Sequence, residues 1–299
     1  YAVVFFHRMG ARVSEITKDS LAIITDSAAD LTDEMIAHYA IDVVDLSVTV
    51  GGETFFGNHG IESQELLKRM EENHELPKTS MPSVGAFKAA YERALEKAEK
   101  VLSIHISPSL SGTYNAALMA AKDFAGRVEV FDSRTLSMSQ GFQALEAARL
   151  YKEGLKLPEI LEHIKVIRNT VHQLAGFDSL EYLVKGGRIG RASSLLGAML
   201  NLKPSIEVNE NGEFIACMKS RGNKSAVKDT VKWIRDRIGN HTRGVFAVGF
   251  AFNRDRAEAL ADAIRENFEP VGGVLIYEAG PVISTHTGPG WGVAFYPCA

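Results

Sequence analysis

Apolar positions along this chain fall into two alternating rhythms. Short unbroken runs at 21–25, 101–106 and 127–131 read as strands buried on both faces, the pattern of a parallel sheet. Between them, apolar residues recur three and four apart. Val84, Phe87, Tyr91, Ala94, Leu95 and Ala98 mark one helix, 136–153 is a second that stops at Gly154, and Ile160, Leu161, Ile164, Ile167 and Val171 form a third behind Pro158. Thr32 or Asp33 can cap a helix through residue 39. The β-branched stretch 41–50 reads as one strand, 62–73 as a helix with Leu66, Leu67 and Met70 inward, and 77–83 as a loop, from its two prolines. Strand–helix alternation predicts an α/β fold: a three-layer α/β/α domain with a mainly parallel sheet over residues 21–172.

The rhythm changes after residue 172. Asn211-Gly212 between two β-rich runs is a strong hairpin signal. A helix capped by Ser225 runs to 238, and Asn253 caps another to 268. Runs at 244–252, 274–277 and 292–296 read as strands, and 281–290 as a loop. The expectation for 173–299 is an α+β domain with a mixed sheet and helices on one side. Residues 1–20 read as an N-terminal extension: a short apolar stretch precedes His7, Arg8 and Met9, the reverse of a secretory signal. They are left out of the fold.

Composition narrows the function. With 33 basic and 37 acidic side chains the formal net charge is −4, and no Lys/Arg run favours nucleic acid. No apolar stretch is long enough to cross a bilayer. Cys217 and Cys298 form no metal pattern and suit a reducing, cytoplasmic setting. There is no P-loop, no Gly-x-Ser-x-Gly elbow and no helical histidine pair, so no metal site of its own is expected. Gly288–Gly292 mimics part of a dinucleotide fingerprint but precedes a terminal strand rather than a helix.

Candidate chemistry gathers at the carboxyl ends of strands, where ligands of open α/β sheets bind. Asp26-Ser27, Ser107–Ser111 and Asp132-Ser133 stand at three such ends. The stretch from Ser103 to Ala117 delivers hydroxyls and Gly112 to a helix start, which suits an anion; Ser111 or Thr113 acting only as a helix cap is the plainer alternative. Ser27, Thr79, Ser80, Ser107 and Ser111 are neutral donors fit for a carboxylate or phosphate. Arg188 and Arg191 lie in a glycine-rich loop, and His286 stands between two threonines. The apolar run 193–200 is either core or a wall for an apolar ligand.

Taken in order, Thr25-Asp-Ser27 with Asp30-Leu31, Thr79-Ser-Met-Pro-Ser83, Ile106 to Tyr114, Asp132-Ser133, Leu180 to Gly190 and His286-Thr-Gly-Pro-Gly290 resemble the DegV family of fatty-acid-binding proteins. Members serve as acyl-binding subunits of bacterial fatty acid kinase, in phospholipid metabolism. Met81 stands where the family commonly has Gln. The resemblance covers residue 21 to the C-terminus. It implies a long-chain fatty acid in an interior tunnel, with Thr79 and Ser111 on its carboxylate, His286 close by, and Ser27, Ser80 and Gly112 shaping the head-group pocket. Leu195, Leu196 and Met199 would line the tunnel, and Arg188 and Arg191 would face the partner. The chain would not be an enzyme by itself. It would be a monomer, with at most transient membrane-surface contact, presenting the carboxylate to a separate kinase subunit carrying ATP and Mg²⁺, with Arg188 and His286 assisting catalysis. Two alternatives stay open: a lipid carrier or sensor without a kinase, and a hydrolase using Ser111 with His286.

Overall fold

The computed structural model describes residues 20–73, 76–195 and 202–298. The expected extension, Ser20 apart, lies outside them, as do Leu196 and Met199. In the first half, β1 (Leu21–Asp26) leads to α1 (Asp33–Tyr39), β2 (Ile41–Val44), β3 (Ser47–Val50) and β4 (Glu53–Phe56). Then come α2 (Ser63–Asn73), β5 (Lys78–Ser80), α3 (Val84–Leu95), β6 (Lys100–His105), α4 (Thr113–Ala121) and β7 (Val128–Asp132). Two long helices follow, α5 (Ser137–Lys152) and α6 (Leu157–Thr170). The second half holds β8 (His172–Phe177), α7 (Glu181–Lys185), β9 (Leu202–Val208), β10 (Phe214–Arg221) and α8 (Gly222–Ile238). It ends with β11 (Arg243–Ala251), α9 (Arg254–Asn267), β12 (Glu269–Glu278), α10 (Pro281–Thr287) and β13 (Gly290–Pro297).

Strands β2-β1-β6-β7 form an all-parallel sheet. Side chains alternate across it as a doubly covered sheet requires. Ile24, Val44 and Val101 pack with Phe87 and Tyr91 of α3 and Ala116, Ala117 and Ala120 of α4. Ile23, Ile41, Leu102 and Ile104 pack on the other face with Met35 of α1 and Met138 and Phe142 of α5. Three layers result, and the α/β reading of this half holds. A mixed sheet, in order β10-β9-β8-β13-β11-β12, completes the fold; only β11 and β12 run parallel.

The mixed sheet has its own helices on one side, as expected, and its other face is covered by helices of the first half. Its own α8 and α9 cover one face through Trp233, Ile234, Leu260 and Ile264. The other face lies on α5 and α6, where Val245, Ala247, Tyr277 and Ala294 join the core of the parallel sheet. Helix α5 is therefore sandwiched, and its small residues allow it. A Cβ on Gly141 would come 2.9 Å from the carbonyl of Ala29.

Four local readings are corrected. Residues 41–50 are two strands in different sheets, because Leu46 turns its N–H to Ser27 Oγ at 3.0 Å and its carbonyl to Gly57 N–H. Lys78–Ser80 is not loop but an edge strand on β3, which with β4 makes a small antiparallel sheet; Pro77 and Pro82 bracket it without removing a ladder donor. Helix α8 starts at Gly222, not at Ser225, whose hydroxyl donates to Asp229 one turn further along. The loop expected at 281–290 is mostly helix: Pro281 sits in the first turn of α10, and Gly288, with φ +58°, ends it.

Candidate functional site

Two cavities adjoin on one side of this assembly. The first is lined by Leu46, Thr79, Ile106, Leu110, Ser111, Leu136, Leu183, Arg188, Phe214, Val282, Ile283, His286 and Thr287. The second runs among mixed-sheet residues, including Ala175, Phe177, Ile206, Phe250 and Trp291. Leu136, Phe214, Ile283 and Thr287 belong to both walls, so the cavities are neighbours; both are mainly apolar with a few polar groups, Thr79, Ser111, Arg188 and His286 in the first and Ser137, Gln173 and Tyr277 in the second. Each has a cavity volume of about 50 Å³.

The polar end is assembled from four distant parts of the chain. Strand β5 pairs Thr79 with Val48 and so turns it toward α10. On α10, Ile283, His286 and Thr287 share one face by helical spacing. Thr79 Oγ1 and His286 Nε2 are 2.7 Å apart. The tautomer is assigned from the partners: Nδ1 is buried with none, and an unpaired lone pair is less costly there than an orphan N–H. Nε2–H therefore donates to Thr79, which leaves the threonine hydrogen free to donate into the cavity. Burial, then the positive charge of Arg188, pushes the His286 imidazole down to about 4, so it is neutral at pH 7. Gly186 is needed for this approach, since a Cβ there would lie 2.5 Å from His286 Nδ1.

Ser111 follows β6 in the turn before α4. Its hydroxyl lies 2.8 Å from that of Thr113 and accepts the Thr113 N–H at 3.3 Å. The cap position itself is Gly112, where a Cβ would meet Met81 Sδ at 2.5 Å. Arg188 is exposed at the rim and its guanidinium donates to the carbonyl of Gly186 at 2.7 Å. No hydrogen bond joins Ser111 to His286, and a histidine this hard to protonate is a weak base, so the geometry of a serine hydrolase dyad is not formed.

Thr79, Ser111, Arg188 and His286 thus meet in one cavity, while other singled-out residues do not line it. Ser27 is buried and holds Leu46 in the wall. Ser80 is exposed on β5, opposite Ser47. Arg191 pairs with Glu213 at 3.2 Å on the surface. Leu195 is buried in the cluster behind Leu46, Ile106 and Phe214, backing the wall rather than facing the space. Of the three strand ends, Asp26 is committed to structure: its carboxylate accepts from Ala28, Ile106, His105 and Gln140. Asp132 and Ser133 bond within their own turn. Ser107 and Ser109 hold the hairpin tip, donating to the carbonyls of Gly212 and Asn211. That contact places Phe214 between the cavities and went unforeseen, although the Asn-Gly turn two residues earlier was its signal.

An α/β protein with a parallel and a mixed sheet, and two adjoining, mainly apolar cavities that each carry a few polar groups, is the class that fold and site define. A family model described as "Uncharacterised protein, DegV family" matches residues 20–298, and the chain belongs to the DegV family. A DegV domain-containing protein of Deinococcus radiodurans is 36% identical over 281 residues, 93% of this chain and 99% of that one. A DegV family protein from Thermus thermophilus, described with fatty acid binding, superposes with TM-score 0.90 at 34% identity, covering 93% of this chain and 100% of its own. DegV from Bacillus subtilis, described as a fatty acid binding protein, gives TM-score 0.82 at 28% identity, over 94% of this chain and 100% of its own. No described helix is long and apolar enough to cross a membrane.

Proposed function

We propose that this protein binds a long-chain fatty acid and presents its carboxylate to a separate ATP-dependent kinase subunit. The observation that carries the reading is the meeting of hydroxyl donors and a neutral histidine in a mainly apolar cavity that shares its wall with a second. The described ligands of the Thermus and Bacillus relatives support it. Thr79 and Ser111 donate to the carboxylate, and the acyl chain passes Leu136, Phe214 and Ile283 into the second cavity. A dozen buried methylenes contribute on the order of 10 kcal/mol before ordering costs. The polar end need therefore only orient the head group, and neutral donors leave it nucleophilic.

Transfer follows from that orientation. A carboxylate oxygen attacks the γ-phosphorus of ATP, ADP leaves, and the acyl phosphate remains. ATP and Mg²⁺ come with the partner, and Arg188 at the rim faces the charge that develops. The test is denaturing mass spectrometry of the purified protein, followed by incubation with the ATP-binding subunit of a bacterial fatty acid kinase and ATP. Release of a long-chain fatty acid and its conversion to acyl phosphate are expected. Protein that carries and binds no fatty acid would refute the reading; binding without phosphorylation would leave a carrier.

A further inference from the structure

The apolar cavity has polar groups in its wall that a plain hydrocarbon would leave unused. Tyr277 on β12 and Ser137 at the start of α5 both line it, with their oxygens 2.8 Å apart. Ser137 Oγ also lies 2.5 Å from Asp30 Oδ2, and the other Asp30 oxygen accepts the Gly280 N–H at 2.9 Å. Asp30 is 4% exposed, and no described cation bonds it. Gln173 on β8 lines the same space at 7% exposure. Its Oε1 accepts from Ser139, while its Nε2 has no hydrogen-bond partner among the described residues. A ligand oxygen in this space could accept from that amide.

The Asp30–Ser137–Tyr277 chain can run in two directions. With Asp30 ionised, Tyr277 donates to Ser137 and Ser137 to Asp30, so the phenol oxygen can only accept, as it already does from the Met138 N–H. With Asp30 protonated, every hydrogen reverses and Tyr277 can donate into the cavity. Burial, with a smaller push from Asp26, raises the Asp30 carboxyl to about 7 despite the bonds from Ser137 and Gly280, so both directions are reached near neutrality. Asp26 and Tyr277 are the titratable groups that face it. A methylene satisfies neither direction and a ketone only one. A hydroxyl satisfies both, because it donates and accepts.

We infer that this cluster is a subsite for a hydroxyl carried along the acyl chain, so that the cavity selects hydroxylated long-chain carboxylates over unsubstituted ones. The inference rests on the fatty-acid reading above. The experiment measures competition of stearic acid and a positional series of monohydroxystearic acids against a fluorescent fatty acid. One or two adjacent positions are expected to bind about fivefold to tenfold tighter than the remaining isomers, the effect of one well-made buried hydrogen bond. Tyr277→Phe and, separately, Ser137→Ala should flatten that profile, read as a ratio among isomers so that an overall change in affinity cancels. If stearic acid binds but the positional profile of the wild type is flat, the subsite is refuted. A profile that survives in both variants refutes it too. Binding of none of these acids would instead bring down the fatty-acid reading and this inference with it.

Discussion

The two ends of the cavity solve opposite problems with similar side chains. At the first end, Thr79, Ser111 and His286 come from an edge strand, a turn and a short helix, and the Thr79 hydrogen is left free for the cavity. At the second, Asp30, Ser137 and Tyr277 bond chiefly to one another inside the sandwich of sheets. The titratable groups answer burial in the same way, both favouring the neutral form. One is a base and the other an acid, so their pKa values move in opposite directions: His286 falls to about 4 and Asp30 rises to about 7. A hydroxyl-rich site is thus not one kind of site; what separates them is whether the hydroxyls have spare hydrogens.

The sharpest way to break this comparison is to remove what divides the ends. Phe214→Ala deletes a buried ring from both walls and should cost about 3 to 5 kcal/mol of stability, read in urea unfolding. The pH profile comes next. Unfolded histidine titrates near 6.5, so below that pH the unfolded chain binds the proton first; His286 should withdraw up to about 3 kcal/mol as pH falls from 6.5 to 4. Asp30 works the other way. Its folded carboxyl holds a proton that the unfolded chain has lost, so stability should decline by a few kcal/mol as pH rises from about 4 to 7. His286→Gln should flatten only the acid limb and Asp30→Asn only the neutral one, in melts across pH; His172, also lowered to about 4, keeps a share of the acid limb.

Smaller effects test the first end by itself. Thr79→Ala combined with Ser111→Ala should weaken fatty-acid binding by about 1 to 3 kcal/mol, roughly five- to a hundredfold in Kd by titration. Arg188→Ala should change that affinity less than about threefold, because its exposed charge is screened, while slowing phosphorylation. An equal loss of binding in both variants would refute the division between holding and reacting.

The parallel half was legible because its strands are short, wholly apolar runs and its helices keep their spacing from Val84 to Ala98 and from Ile160 to Val171. Thr79, Ser111, Arg188 and His286 were also legible, since polar residues beside Gly and Pro stand out against apolar runs. Hidden from sequence were the features decided by partners far along the chain. Leu46 leaves its strand because Ser27 and Gly57 take its backbone bonds. Ser107 serves a hairpin tip 105 residues away. Residues 281–287 form a helix although threonine and serine favour turns, because Pro281 suits its first turn and Gly288 its end. Asp30, Ser137 and Tyr277 carried no local signal at all, because their meeting is tertiary.

Helix α5 has a wider meaning for how the molecule comes apart. It is covered by the parallel sheet on one side and the mixed sheet on the other, and Met138, Phe142, Ala144 and Ala147 share one core with Val245, Tyr277 and Ala294. Neither sheet can shed its covering without stripping the other, so heat or denaturant meets one cooperative block rather than two separable modules. The ligand cavity lies along that same seam, and whatever fills it adds its binding free energy to the stability of the whole chain at once.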